Sequence, residues 1–196
     1  QRHRSWTNRV DASEGVTYRN VKLLADSDTT PNFDGFDVTS GCRHIHIDDV
    51  FIRATDDALS LKHLMQSADH WAGRAPISHV TFTNAVIWNV MSGSCFRIGP
   101  ETSGPSIAGL VVRDVDVVHM KDNPRGSVFE IRTVDGVQIR DVLFEDIRVE
   151  AEHRRLICFD MGDWYKLLWW TRGGRVEGAH FRDIRLEGKT GECLIE

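Results

Sequence analysis

Val142-Leu-Phe-Glu-Asp-Ile-Arg-Val149 has apolar residues at its first, third, sixth and eighth positions and an acid at the fifth. Five other segments repeat the pattern: Val16-Thr-Tyr-Arg-Asn-Val-Lys-Leu23, Ile45-His-Ile-Asp-Asp-Val-Phe-Ile52, Val80-Thr-Phe-Thr-Asn-Ala-Val-Ile87, Leu110-Val-Val-Arg-Asp-Val-Asp-Val117 and Ala179-His-Phe-Arg-Asp-Ile-Arg-Leu186. Alternation within the first apolar pair, and again within the second, is the period of strands that each bury one face. The three-residue step between the pairs breaks that period. Asn20, Asp49, Asn84, Asp114, Asp146 and Asp183 stand at the break, where a side chain is wanted that tolerates left-handed backbone and bonds its own turn. Each unit therefore reads as strand, tight corner, strand.

Successive units start 29, 35, 30, 32 and 37 residues apart, which leaves room for a third strand and a loop of variable length. The third strand is visible between the units as Phe36-Asp37-Val38, Ala58-Leu-Ser-Leu-Lys62, Cys95-Phe-Arg-Ile98, Val128-Phe-Glu-Ile-Arg132, Ile157-Cys-Phe-Asp160 and Cys193-Leu-Ile195. The expected fold is all-β, a right-handed parallel β-helix of about six coils forming one domain over residues 1–196. A helical solenoid would need a 3.6-residue period, and a propeller would need antiparallel strands and more turns per repeat. Outward positions of the third strands form one lengthwise stripe of Asp37, Ser60, Lys62, Arg97, Glu130, Arg132 and Asp160. Six coils at a strand spacing of roughly 4.8 Å span only about 24 Å. Such a stack is short for an independent β-helix, and no amphipathic helix precedes Val16 to cover its open end, so the expectation includes an incomplete fragment without its N-terminal coils.

Composition narrows the function classes. The chain of 196 residues is 41% apolar and 27% charged, with a net charge of −5, which suits a globular fold and excludes disorder, collagen and membrane spans. No dense Lys/Arg run marks a nucleic-acid partner. No apolar segment marks a signal peptide or an anchor. The sequence leaves the oligomeric state open. Cys42, Cys95, Cys158 and Cys193 lack the close spacing of a zinc or redox site and read as buried thiols.

The densest polar cluster precedes two consecutive third strands, in Asn32-Phe-Asp34-Gly-Phe-Asp37 and Thr55-Asp56-Asp57-Ala-Leu-Ser-Leu-Lys62. Asp34 and Asp57 are 23 residues apart, about one coil, which brings their backbones to roughly one strand spacing. Carboxylates this close raise each other's pKa, as general acid/base pairs do. Turn chemistry is the other reading, because Asp is common in corners.

In this order and on this repeat the motif resembles the polygalacturonases and their relatives the dextranases and isopullulanases, inverting glycoside hydrolases on a right-handed parallel β-helix. The resemblance implies that Asp56 is the general acid and that Asp34 with Asp57 holds the attacking water. It implies no cofactor and no metal, a polysaccharide or oligosaccharide as partner and, with it, an extracellular or periplasmic location. The chain departs from polygalacturonases where their Gly-His-Gly would fall, having Gly93-Ser94-Cys95, and where their Arg-Ile-Lys would fall, having Glu130-Ile131-Arg132. An acid at Glu130 would repel a uronate, so the expected substrate is a neutral polysaccharide such as an α-glucan. The stretches Cys95-Phe-Arg-Ile-Gly-Pro-Glu-Thr102 and Val115-Asp-Val-Val-His119 resemble the dextranase side of the group. A polygalacturonase-like uronan hydrolase and a non-catalytic carbohydrate-binding β-helix are the alternatives.

Asp37, Lys62, His63, Arg97, Glu130 and Arg132 are the candidates for holding sugar; the competing reading makes them solvated stripe residues, with Glu130 and Arg132 paired to each other. The aromatic segment Asp163-Trp-Tyr-Lys-Leu-Leu-Trp-Trp-Thr171 could stack on sugar rings, seal the rod or meet a partner. His44 and His46 alternate with Ile45 and Ile47 and read as surface residues.

Overall fold

The computed structural model describes residues 6–63, 75–99, 104–124, 126–133, 136–160 and 174–195. The six repeat units fall on long strands: β2 (Thr17–Leu24), β4 (Arg43–Ala54), β6 (Ile77–Asn89), β8 (Ser106–Met120), β10 (Gln138–Val149) and β12 (Arg175–Leu186). Between and around them lie the shorter β1 (Asn8–Val10), β3 (Phe36–Thr39), β5 (Leu59–Lys62), β7 (Phe96–Ile98), β9 (Phe129–Arg132), β11 (His153–Asp160) and β13 (Thr190–Ile195). All six corner residues take left-handed backbone, with φ between 51° at Asp183 and 56° at Asp114. Asn and Asp accept this conformation at the smallest cost after glycine. Stacked corners also bond one another, as where Asn20 Nδ2 donates to Asp49 Oδ2 at 2.8 Å.

Each unit has a second left-handed residue five positions before the first: Gly15, His44, His79, Gly109, Asp141 and Gly178. These break the strand period again and turn the chain into the unit. His44 and His79, one above the other, stack their exposed rings with centroids 4.8 Å apart. His46 is also exposed, as expected, and bonds Thr81.

All pairings are parallel and form two sheets, one of seven strands in the order β1-β3-β5-β7-β9-β11-β13 and one of six in the order β12-β10-β8-β6-β4-β2. This is a parallel β-solenoid, in which every neighbour in a sheet is the equivalent strand of the adjacent repeat. Each of the six units supplies one long strand to the six-stranded sheet, and the shorter strands between and around them make up the other. Strand, corner and strand of each unit run on as one element of up to fifteen residues, as in β8. The corner costs one ladder position and does not end the strand.

Register keeps like positions in line. Tyr18, Ile47, Phe82, Val112, Phe144 and Phe181 form one inward file, and Leu23, Ile52, Ile87, Val117 and Val149 another; Leu186, in register with the second file on β12, is exposed. From the opposite sheet Phe36, Phe96 and Phe129 point into the same core, fully buried. Phe96 stacks on Phe129 at 5.7 Å, and Phe144 on Phe181 at 5.2 Å. Each fully buried ring contributes on the order of 2 kcal/mol from removal of apolar surface from water. Cys42, Cys95 and Cys158 are buried free thiols, as their spacing predicts; the Cys193 side chain and the Trp-rich segment 163–171 lie outside the described residues. No described helix is long and apolar enough to cross a membrane.

Candidate functional site

The turns that lead from the six-stranded into the seven-stranded sheet stack along one edge of the solenoid. Asp34 lies in the turn before β3, Asp56 and Asp57 in the turn before β5, and Gly93 and Ser94 in the turn before β7. The Gly35 amide donates to the Asp57 carbonyl at 2.8 Å, and the Ala58 amide to the Ser94 carbonyl at 3.1 Å. The ladder therefore extends into the turns and holds these residues in register. Two glycines permit the approach. A Cβ on Gly35 would stand 2.3 Å from the Ala58 carbonyl oxygen, and one on Gly93, at φ +77°, would stand 2.5 Å from Asp56 Oδ1.

Two cations are set among the acids. Lys62 Nζ lies 3.0 Å from Asp37 Oδ1 and 3.5 Å from Asp34 Oδ2, with the ring of Trp6 centred 4.0 Å away over the ammonium, a cation–π contact. Arg97 spans the next coils. Its Nη1 is 3.1 and 3.2 Å from the two oxygens of Asp57 and 3.9 Å from Asp56 Oδ1. Its Nε and Nη2 grip Glu130 at 3.1 and 3.2 Å, a forked carboxylate contact. Ser94 completes this part: its amide donates to Asp57 Oδ1 at 2.8 Å, and its hydroxyl donates to Glu130 and accepts from the Ser127 amide. Arg132 in turn bonds both Glu130 and Asp160.

Most of this stripe is buried, where the sequence reading allowed a solvated one. Asp34, Asp37, Asp57, Ser60, Lys62, Glu130 and Arg132 are closed off from water, whereas the side chains of Asp56, Arg97 and Asp160 are 20%, 13% and 11% exposed. Asp34 Oδ1, Asp37 Oδ2 and Ser60 Oγ are buried without a hydrogen-bond partner. A charge closed off from water is costly unless it is paired or neutralised by a proton, and the cluster uses both routes.

Burial above all, with the charges of Asp37 and Asp57 adding to it, pushes Asp34 up to about 10. Burial lifts Asp37 to about 6 against the pull of Lys62. Burial and then Asp57 lift Asp56 to about 6 against the pull of Arg97. Asp57 is also raised by burial, with Arg97 and Lys62 opposing. Burial works in the same direction on Glu130, but Arg97, Arg132 and the Ser94 hydroxyl outweigh it and hold that carboxyl below its usual value. The cluster thus holds both protonated and ionised carboxyls side by side at neutral pH, which is the condition for acid and base to work together.

Of the residues selected from sequence, Lys62 with Asp34 and Asp37 forms one contact group and Arg97 with Asp56, Asp57, Glu130 and Arg132 another, the two coupled through the charges of Asp57, Asp34 and Lys62. Glu130 and Arg132 do pair with each other. His63 stands apart: it is fully buried, its Nδ1 is 3.1 Å from Ser40 Oγ, and its Nε2 is 3.0 Å from the Ser106 carbonyl oxygen. Both ring nitrogens are engaged in holding turns, and burial pushes the imidazole below its ordinary pKa.

Ser94 and Trp6 were missed from sequence. The register places Ser94 beside Asp57 once β5 and β7 are paired, so that signal was present; nothing in the sequence places Trp6. Among the described residues no group of three or more His, Cys, Asp or Glu is arranged to hold a metal ion.

The chain matches no family model and no curated protein. A parallel β-solenoid is compatible with hydrolases, lyases and binding proteins alike, so function has to be argued from the side chains.

Proposed function

We propose that the chain is an inverting glycoside hydrolase that acts on a neutral polysaccharide such as an α-glucan. The observation that carries this reading is Asp56. It is the one acid among Asp34, Asp37, Asp56 and Asp57 whose side chain reaches solvent, and its pKa of about 6 keeps a proton available in mild acid. Asp56 donates that proton to the glycosidic oxygen as the bond to the leaving sugar breaks.

Asp34 and Asp57 form the pair that holds and activates the attacking water. Asp34 carries a proton and fixes the water by a hydrogen bond, and Asp57, raised by burial against the pull of Arg97 and Lys62, accepts the water's proton. The pair titrates as a unit, not as two independent acids. Arg97 positions Asp57 and reaches toward Asp56; Lys62 and Asp37 brace Asp34. The neutral substrate follows from the cations, each of which is bound to carboxylates already. Arg132 bonds both Glu130 and Asp160, so a uronate would have to displace a buried acid to reach it.

A second reading is favoured by the burial of Asp34 and Asp57: a β-solenoid that binds carbohydrate without cleaving it. Release of reducing sugar from dextran, pullulan and polygalacturonate separates the readings. The hydrolase acts on one of the two glucans and leaves polygalacturonate intact. Cleavage of polygalacturonate alone points to the uronan hydrolase, and binding without product over long incubation to the non-catalytic solenoid.

A further inference from the structure

Asp56 lies in a turn and reaches solvent, so its carboxyl is aimed by whatever fixes the backbone beneath it. Its ion contact is loose, 3.9 Å to Arg97 Nη1. On one side the Asp56 amide donates to the Phe33 carbonyl oxygen at 3.3 Å. On the other the Asp56 carbonyl is held by a side chain, Asn89 Nδ2 donating to it at 2.7 Å. Asn89 is the last residue of β6 and is fully buried. Its second amide hydrogen goes to the Ser92 carbonyl oxygen at 2.7 Å, and its Oδ1 accepts from the Met91 amide at 3.4 Å. The two carbonyls can only accept, which fixes the nitrogen on their side of the amide. One side chain thereby ties the turn before β7 to the peptide unit that joins Asp56 to Asp57. Ser92 reinforces the junction, donating to the Thr55 carbonyl oxygen through its amide at 3.0 Å and its hydroxyl at 2.9 Å.

Stability does not call for a polar residue at this place. In register Asn89 stands between Ala54 of β4 and Met120 of β8, both buried and apolar. A buried amide costs free energy unless it is hydrogen-bonded, and an apolar residue serves in the same file one strand to either side. The polar exception falls at the strand end that meets Asp56.

We propose that Asn89 is a positioning residue for the acid: it fixes the peptide after Asp56, and with it the direction in which the Asp56 carboxyl leaves the turn, against Gly93. The proposal rests on the reading of Asp56 as the general acid. A bracket of this kind acts on kcat and not on KM, because it sets where the proton stands and touches no substrate. The charged groups that face Asp56 are Asp57 in its own turn, Arg97 on β7, Lys62 on β5 and Asp34 in the turn before β3.

The test is Asn89→Leu, which suits the apolar neighbours, and it has two readouts. Turnover on the glucan that the wild-type protein cleaves should fall by about 10²-fold, the cost of a misplacement near 1 Å, with KM little changed. Independently of activity, the Asp56 carboxyl is followed by NMR in protein carrying isotope-labelled aspartate, its signal assigned by its loss in Asp56→Asn. In Asn89→Leu it should titrate closer to the roughly 3.9 of an ordinary Asp than to about 6, because the released turn lets water reach it. Ser92→Ala removes a hydrogen bond of the same turn while the Asp56 carbonyl stays held, and should change neither readout. Asn89→Ala serves where Asn89→Leu does not fold, with the melting temperature reporting the fold. Turnover and Asp56 titration both unchanged in a folded Asn89 variant overturn the proposal, as does an equal effect of Ser92→Ala, which would make the turn as a whole responsible. Failure of the hydrolase reading is distinguishable: the wild-type protein would release no sugar while the Asp56 titration still moved with Asn89 and not with Ser92.

Discussion

The two sheets handle charge in opposite ways. On the six-stranded sheet the ion pairs lie at the surface, as with Arg113 and Glu145 at 2.7 Å or Arg19 and Asp48 at 3.1 Å, where Arg113 is 52% exposed and Arg19 74%. Such pairs contribute little, typically below about 1 kcal/mol, because water and salt screen them. On the seven-stranded sheet Arg97, Glu130, Arg132 and Asp160 form a buried relay, and Lys62 is closed in with Asp34 and Asp37. Taking those groups out of water costs several kcal/mol per ion before pairing offsets it. Both sheets rest on the same apolar core, so the core does not require the difference. A solenoid can be built with surface charges alone, as its own six-stranded sheet demonstrates. The buried set is the part of the molecule that stability does not explain, which is why function is sought there.

The largest effect expected from this contrast is that of Arg97→Met. It leaves Asp57 and Glu130 buried without their shared cation, and removing one partner of a buried pair costs about 3–5 kcal/mol. For a domain of this size that lowers the melting temperature by roughly 10 °C. Thermal unfolding near neutral pH measures it; a loss of only a degree or two would place Arg97 with the surface pairs.

A smaller effect should appear as pH dependence of stability. Asp34, Asp37 and Asp56 have folded pKa values of about 10, 6 and 6, above the roughly 3.9 of an unfolded Asp. The folded state therefore holds protons that the unfolded state has released, and stability falls as pH rises above about 4. Asp37 and Asp56 act up to about pH 6, and Asp34 continues beyond. Glu130 has the opposite sign, since its lowered pKa removes stability as pH falls below the usual carboxylate range. The melting temperature should accordingly be highest in mild acid and decline toward pH 8, and Asp34→Asn should flatten the decline. A melting temperature that rises steadily from pH 5 to pH 8 would mean that these acids are ionised in the folded protein.

The smallest effect belongs to the other sheet. Arg113→Ala should cost less than about 1 kcal/mol, and added salt should erase even that in the same melting assay. A cost comparable with that of Arg97→Met would remove the distinction between the sheets.

The parts legible in sequence were those that one residue type marks by itself. Asn or Asp at the fifth position of each unit announced every first corner, and the alternation around it announced the apolar files. The second corner was hidden because Gly, His and Asp share the task at Gly15, His44 and Asp141. β1 was hidden because three residues, Asn8–Val10, show no periodicity.

The acids of the candidate site were legible because Asp34 and Asp57 are one coil apart. Their burial was not. An outward polar residue on a strand reads as solvated, and only the three-dimensional path of the turns and of Trp6 shows Lys62 to be covered. His63 was selected for its place beside Lys62, yet alternation along the chain points it elsewhere, toward Ser40 and Ser106.

The central claim is that the exposed acid of the buried cluster does the chemistry, and the turnover of Asp56→Asn on the glucan that the wild-type protein cleaves tests it most directly. Asparagine keeps the shape and removes the proton that the leaving oxygen needs. A general acid contributes about 10²- to 10⁴-fold to rate, so turnover should fall by that factor with the melting temperature within a few degrees of wild type. An unchanged turnover number in a folded Asp56→Asn protein would contradict the account.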